Sequence, residues 1–249
     1  FLVYYPMILT HCPFVPTPHS DNWNPDSPGS ASYKGEEVYF SDMVEYVDHL
    51  VGKIENVLKE NNLIENTYLI FTGDNGTDRP IVSEFNGYNF PGRKGTMTDG
   101  GTHVPLIVSC PGTVDESVNS DLIDFSDFFP TLCEIAEVKL YKENYLLDGR
   151  SFLPQLIGYN GKPREYVYCW YNRNMEPGKT RATARNQQYK LHLNGDFYDI
   201  KNDKMEVKPL NIKTLSPTQI QIFEMLQNVL DHYAQFDTLE NYIESDATK

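Results

Sequence analysis

Four kinds of side chain in this sequence are of a type, and in a setting, to act on a charged ester. Asp74 and Asn75, in FTGDNG, offer a carboxylate and an amide carbonyl, hard donors suited to Ca²⁺ or Mg²⁺ rather than to zinc. The same triplet also reads as an ordinary turn, because Asp and Asn bond their own backbone and Gly tolerates positive φ. Lys94, between Arg93 and Gly95 in a Gly-rich stretch, is a compact cation with three donors, able to grip an anion or to stand solvated. His11, in Thr10-His11-Cys12-Pro13, is the residue type best suited to give a proton near neutral pH. His103, just before VPLIV, reads equally as a site residue or as a structural histidine. Cys12 beside His11 suggests a nucleophile and base, but neighbours on a strand face opposite ways, which argues against the pair. His19, His49, His192 and His232 have no comparable context. A metal-ligand pair, an anion-gripping Lys and an acid-capable His could bind a charged ester and help its leaving group depart. An activated nucleophile is missing from the set.

The elements that would position these residues follow from periodicity. FLVYYPMIL reads as a strand that ends near His11. Five prolines (Pro13, Pro16, Pro18, Pro25 and Pro28) exclude helix from the loop over about Thr10 to Ser32. Apolar positions from Val38 to Leu58 recur at three and four, which predicts an amphipathic helix over about Lys34 to Asn61. TYLIFTG and VPLIVS are short β-rich strands, and a helix is predicted over about Phe125 to Val138. Strands separated by a helix point to an α/β fold with a mainly parallel sheet, and ligands of such sheets collect at the strands' carboxyl ends, where Asp74 and Asn75 fall. Beyond about Pro163, EYVYCWYN, KTRATARN, QYKLHLN and DFYDI predict a small antiparallel sheet. A helix over about Pro217 to Phe236 closes it, with Ile220, Ile222, Phe223, Leu226, Val229, Leu230 and Tyr233 for its buried face. The expected division is thus residues 1–160 and residues 161–249.

The 249 residues suffice to bury a core, and no stretch approaches the roughly 18 apolar residues of a membrane-spanning helix. A formal net charge of −14 argues against nucleic acid as a partner. Cys12, Cys110, Cys133 and Cys169 are scattered without a CxxC pair, which argues against a zinc site or disulfide scaffold and leaves Cys110 and Cys133 as buried free thiols.

FTGDNG followed by RKGTMTDGGTHVPLIVSCPG resembles the sulfatase pattern of Asp-Asn-Gly, Lys-Gly, Gly-Gly-x-Arg/His-Val-Pro and Pro-Gly. PMILTHCPFVPTP is similar to the family's His-x-Pro-Phe region, DLIDFSDFFPTLCEIAEV to its Asp-x-x-Pro-Thr helix, and LDGRSFLPQLIG to its Asp-Gly-x-Ser loop. KTRATARNQQYKLHLNGDFYDIKNDKMEVKPL is like its closing sheet, so the resemblance runs from about residue 1 to 235. It implies an alkaline-phosphatase-like fold: a parallel-rich mixed sheet flanked by helices, with a small C-terminal antiparallel sheet and a packed helix. It implies a sulfuric ester hydrolase acting on sulfated carbohydrate, with Asp74 and Asn75 holding Ca²⁺ (Mg²⁺ being the alternative). Lys94 would contact the sulfate and the leaving oxygen, His11 would bind sulfate and act as general acid, and His103 falls where relatives place Arg or His.

The family's nucleophile, a formylglycine made from Cys/Ser-x-Pro-x-Arg, has no counterpart here; Asn89-Phe90-Pro91-Gly92-Arg93 comes nearest, with Asn at the key position. Its adjacent Asp-Asp metal pair is missing too. The expectation is a C-terminal half of a sulfatase, inactive alone, with the compartment open (periplasmic or secreted if it follows bacterial polysaccharide sulfatases). Two alternatives stand: a non-catalytic homologue that binds sulfated glycans, and a phosphatase or phosphodiesterase of the same superfamily. Asn75, where two-zinc members carry His, disfavours the latter. The loops 17–33 and 77–92, with Trp23, Tyr88 and Arg93, are candidates to line a sugar subsite.

Overall fold

Apolar residues at helical spacing, with charges between them, make α1 (Phe40–Glu60), which buries Met43, Val47 and Leu58. A 3₁₀ turn, Glu37–Tyr39, leads into it, so the helix starts later than its periodicity predicts. Lys34 and Gly35 serve another purpose: the Phe14 N–H donates to Lys34 O at 2.8 Å and the Glu36 N–H to Phe14 O at 2.9 Å, closing the proline-rich loop at its base. The computed structural model describes residues 1–140 and 147–236; residues 237–249, part of the expected C-terminal division, lie outside the described residues.

The chain gathers into two compact units, one of Phe1–Lys94 with Val104–Thr113, the other of Gly95–His103 with Val114–Lys249. This partition differs from a single cut at residue 160, because the short stretch after Lys94 and everything from Val114 go with the C-terminal sheet.

In the first unit, β1 (Leu69–Thr72) pairs antiparallel with β4 (Leu106–Ser109), Thr72 opposite Leu106. Between them, β2 (Val82–Phe85) and β3 (Tyr88–Pro91) form an antiparallel hairpin. Beside α1, Cys12, Phe14, Met43 and Ile81 form a buried apolar cluster, with Leu9, Tyr39 and Phe40 packed on it.

Two expectations are corrected here. The stretch FLVYYPMIL has strand composition, yet it pairs with no strand among the described residues, and Phe1, Leu2, Val3 and Tyr4 are exposed. Composition supplies a strand's side chains but not the partner that completes its ladder. The strand pairs among the described residues are antiparallel, and the one parallel contact is the Phe14–Gly35 bridge. The helical crossover that suggested parallel pairing needs a paired strand ahead of α1, and that is the strand that lacks a partner.

In the second unit, α2 (Asp99–Thr102) is a single turn, and α3 (Phe128–Ile135) follows a 3₁₀ turn, Phe125–Asp127, capped by Asp124 in a capping box. After α4 (Leu153–Leu156), the sheet runs β5 (Val167–Tyr171), β6 (Arg181–Arg185), β7 (Tyr189–His192) and β8 (Phe197–Asp199), each antiparallel to the next as predicted. Ser216 and Gln219 form the capping box that starts α5 (Pro217–Ala234), with Pro217 in its first turn. Leu226, Val229 and Leu230 of α5 pack on Ala182, Ala184, Leu191 and Phe197 to make the core. Ile222, Phe223 and Tyr233 flank that core as predicted, but Ile220, one turn from the start of the helix, remains exposed.

Candidate active site

Leaving β1, the chain passes Gly73 and turns at Asp74 and Asn75. The Asn75 amide donates from Nδ2 to Gly76 O at 3.0 Å, which leaves its Oδ1 without a protein partner among the described residues. Asp74 is exposed, and its carboxylate has no cation beside it among the described residues. Two oxygen donors with no competing partner fit a hard divalent ion. Among the described residues no cluster of three or more His, Cys, Asp or Glu is arranged for a metal. Two donors on their own do not make a whole ligand set for such an ion.

The β2–β3 hairpin brings Lys94 back to this turn. The Gly92 N–H donates to Ile81 O at 2.8 Å and the Lys94 N–H to Thr77 O at 3.0 Å, two residues after Asn75. A Cβ at Gly92 would lie 2.0 Å from Asp78 O, so the two backbones meet at a distance only Gly allows. Lys94 is half-buried, Arg93 beside it is exposed, and neither side chain has a protein partner among the described residues.

His11 joins the same frame through its neighbours. Cys12 and Phe14 share a core with Ile81, and Lys34, paired to Phe14 by backbone, forms a salt bridge with Asp78. Burial alone would raise the Asp78 carboxyl; hydrogen bonds from Lys34 and from the Arg79 N–H more than offset this and hold it below its ordinary value. His11 sits in a turn, its N–H bonded to Ile8 O at 2.9 Å, and not on a strand end as predicted. Its Nδ1 lies 2.6 Å from Cys12 O; a carbonyl only accepts, so Nδ1 carries the proton and Nε2 is the outer nitrogen. Cys12 is buried among apolar side chains, with Sγ 3.8 Å from Nδ1, longer than the hydrogen-bond reach a nucleophile–base pair needs. Asp74, Asn75, Lys94 and His11 thus hang from one backbone frame in the first unit.

His103 belongs to the other unit. It caps α2, its side chain is 72% exposed, and its charged neighbour is Asp99 at 3.9 Å. Asp99 anchors a network that sequence reasoning missed. Lys190, whose side chain is 1% exposed, donates to Asp99 Oδ1 at 2.5 Å and to Glu206 Oε1 at 2.7 Å. Arg185 forks onto both Asp99 oxygens at 2.9 and 3.0 Å, and His192 Nε2 meets Glu206 Oε2 at 2.6 Å. Burial works against ionising both carboxyls. The Lys190 and Arg185 charges for Asp99, and the His192 hydrogen bond with the Lys190 charge for Glu206, outweigh it and hold both below the usual carboxylate range.

The segments DFSDFFPT and LDGRSF lock to each other in that same unit. Asp127, buried, accepts from Arg164 Nε and Nη2 at 2.7 and 2.6 Å and from the Arg150 N–H at 2.6 Å. A Cβ at Gly149 would strike Ser126 O at 1.9 Å, and Thr131 Oγ1 receives the Phe152 N–H at 3.0 Å. No spacing rule flags these groups, since their partners lie tens of residues away. All four cysteines are free, with Cys110 buried as predicted and Cys133 only half-buried.

Two family profiles match: one described as Sulfatase, over residues 1–138, and one described as N-sulphoglucosamine sulphohydrolase, C-terminal, over residues 90–235. Arylsulfatase A of Homo sapiens is 29% identical over 197 residues, covering 78% of this chain and 36% of that protein. BT4656, solved in complex with its substrate D-glucosamine-2-N,6-O-disulfate, is similar with a TM-score of 0.61 at 22% identity, covering 81% of this chain and 41% of its own. The phosphonate monoester hydrolase of Agrobacterium radiobacter is similar with a TM-score of 0.60 at 25% identity, covering 80% and 41%. The chain spans about a third of the length of the curated relatives it matches. Its fold is the mixed α/β, alkaline-phosphatase-like fold of these enzymes. With the sulfatase profile running over more than half of it, through both the Asp74-Asn75 turn and Lys94, the chain belongs to the sulfatase family.

Proposed function

We propose that the protein of which this chain is part hydrolyses a sulfate ester, and that the ester is carried by a carbohydrate. The observation that carries this reading is the pairing of the Thr77–Ile81 and Gly92–Lys94 backbones, which keeps a cation beside a hard-oxygen turn. Family membership supports the reaction class, and the disulfated glucosamine bound by BT4656 supports the sugar.

In this reading Lys94 directs its ammonium at the sulfate and at the ester oxygen that gains charge as the S–O bond breaks. Acting as the imidazolium, protonated on both nitrogens, His11 gives that oxygen its Nε2 proton and is left neutral, with the Nδ1 proton still bonded to Cys12 O and fixing the ring. Asp74 and Asn75 would hold a divalent ion, Ca²⁺ before Mg²⁺, that supplies Lewis-acid charge to the sulfate oxygens. The attacking group, implied to be formylglycine, is not among this chain's residues, so the 249-residue chain alone turns over no ester. His103, which the family resemblance brought forward, is given no chemical step in this reading.

The test is hydrolysis of an aryl sulfate and of a sulfated monosaccharide by the full-length gene product and its Lys94→Ala variant. A loss of about a hundredfold to a thousandfold in kcat is expected; unchanged kcat would sink the assignment of Lys94. A second reading rests on the similarity to phosphonate monoester hydrolase. Faster turnover of an aryl phosphonate than of the aryl sulfate would favour it.

A further inference from the structure

The sheet of the second unit carries two sets of cations with opposite fates. Arg185 and Lys190 are neutralised by Asp99 and Glu206. Arg173 and Lys179 on the β5–β6 connection, and Arg181 at the start of β6, are exposed and have no acidic partner among the described residues. Between Tyr171 and Arg181 there are three basic residues and one acidic residue, Glu176, in a chain of net charge −14.

The connection is built rather than loose. Asn172, 7% exposed, donates from Nδ2 to Glu176 O at 2.7 Å and to Thr180 Oγ1 at 3.3 Å, and accepts the Glu176 N–H at 3.0 Å. Glu176, which lines the same connection, accepts the Asn174 amide on its carboxylate at 2.7 Å and makes no ion pair with a basic side chain among the described residues. The Arg181 guanidinium lies over the Tyr171 ring at 5.0 Å, and its N–H groups have no acidic partner among the described residues. The connection shapes an open hollow of about 390 Å³ lined by Arg173, Lys179 and Arg181 among others.

We propose that this hairpin binds a polyanionic saccharide, meeting two or more sulfate or carboxylate groups with Arg173, Lys179 and Arg181. The choice of saccharide rests on the sulfate-ester reading above. Planar guanidinium forks match sulfate and carboxylate oxygens, and three cations spread along one hairpin suit a chain of charged sugars better than a single compact inorganic anion. The chain's overall negative charge does not forbid this, because charges beyond about 8 Å are largely screened at physiological salt.

The test is calorimetric titration of the full 249-residue chain with a heparin-derived tetrasaccharide, its fully desulfated and N-acetylated counterpart, and a single-stranded DNA of equal charge. The triple variant R173A/K179A/R181A is compared with K201A/K208A/K213A, which removes three exposed lysines of the same unit and changes net charge equally. Binding of the sulfated probe that falls about tenfold or more in the hairpin variant, and less than twofold in the control, is expected. The single variant Lys179→Glu, at the exposed tip, should fall part of the way and covers the case in which the triple variant does not fold. Equal losses in both triple variants, equal binding of the desulfated sugar or of the DNA, or no binding by the unaltered chain would each overturn the proposal. A Lys94→Ala chain titrated with an aryl sulfate separates the two readings: if it binds as the unaltered chain does while the hairpin variant loses the tetrasaccharide, the ester reading fails and the hairpin stands.

Discussion

At the turn after β1, Asp74, Arg93 and Lys94 carry charges that no side chain of the described residues satisfies, whereas around Asp99 five ionisable side chains satisfy one another in the interior. The first arrangement costs little to hold, because its charges stay at or near water. The second exists only because every donor and acceptor in it is met; a half-met network would be worse than none. Charges kept open at a backbone-fixed position are available for a ligand, and charges closed on each other hold the chain. Residue type alone does not separate the two cases, since Lys94 and Lys190 are equally lysines.

Removing one closed charge should do the most damage. Lys190→Ala leaves Asp99 and Glu206 without their shared cation and is expected to cost about 3–5 kcal/mol, the range for breaking a buried ion pair; denaturant unfolding reads it. Lys94→Ala should do the reverse, leaving stability within about 0.5 kcal/mol of the parent while lowering kcat of the full-length protein by about a hundredfold to a thousandfold. Equal destabilisation by the two substitutions would erase the distinction drawn between them.

Acid sharpens the contrast. Asp99 and Glu206 have folded pKa values below their unfolded ones, so their stabilisation is complete above about pH 5 and is lost as pH falls through the depressed values. The two tryptophans report the units separately, Trp170 lying in β5 and Trp23 in the proline-rich loop. In a Trp23→Phe chain the Trp170 fluorescence should change in a transition below about pH 4, and in Lys190→Ala that transition should move to higher pH. The smallest effect is expected at Lys59→Ala, which removes an exposed ion pair with Glu55 one turn earlier on α1: about 0.3–0.5 kcal/mol by the same unfolding measurement.

Much of this was legible from local pattern. The period of α1 and α5, the four Tyr-rich strands and the turn at Asp74-Asn75 depend on residues within a few positions of each other, and each stands close to where its pattern put it. What was not legible depends on distant pairing. The direction in which β4 runs against β1, the want of a partner for FLVYYPMIL among the described residues and the placement of His103 in the second unit are decided by which segments meet. The Asp99 network joins positions 99, 185, 190, 192 and 206, and no one of them is marked by its neighbours. The Asp127 lock illustrates the opposite trap: its segment matches a family pattern, yet its charge is spent on Arg164 and on backbone N–H groups.

The hairpin between Ile81 and Gly92 behaves as a side branch with a fixed stem. Its two ends are tied at Gly92 to Ile81 and at Lys94 to Thr77, so its outer strands and their exposed tip can lengthen, shorten or change sequence without altering the spacing of Lys94 from Asn75. Relatives of this chain can therefore differ in the reach of that branch over incoming ligands while leaving the charged apparatus at its root in register. Gly92, where a Cβ would lie 2.0 Å from Asp78 O, is the position in the stem that has no room for a side chain.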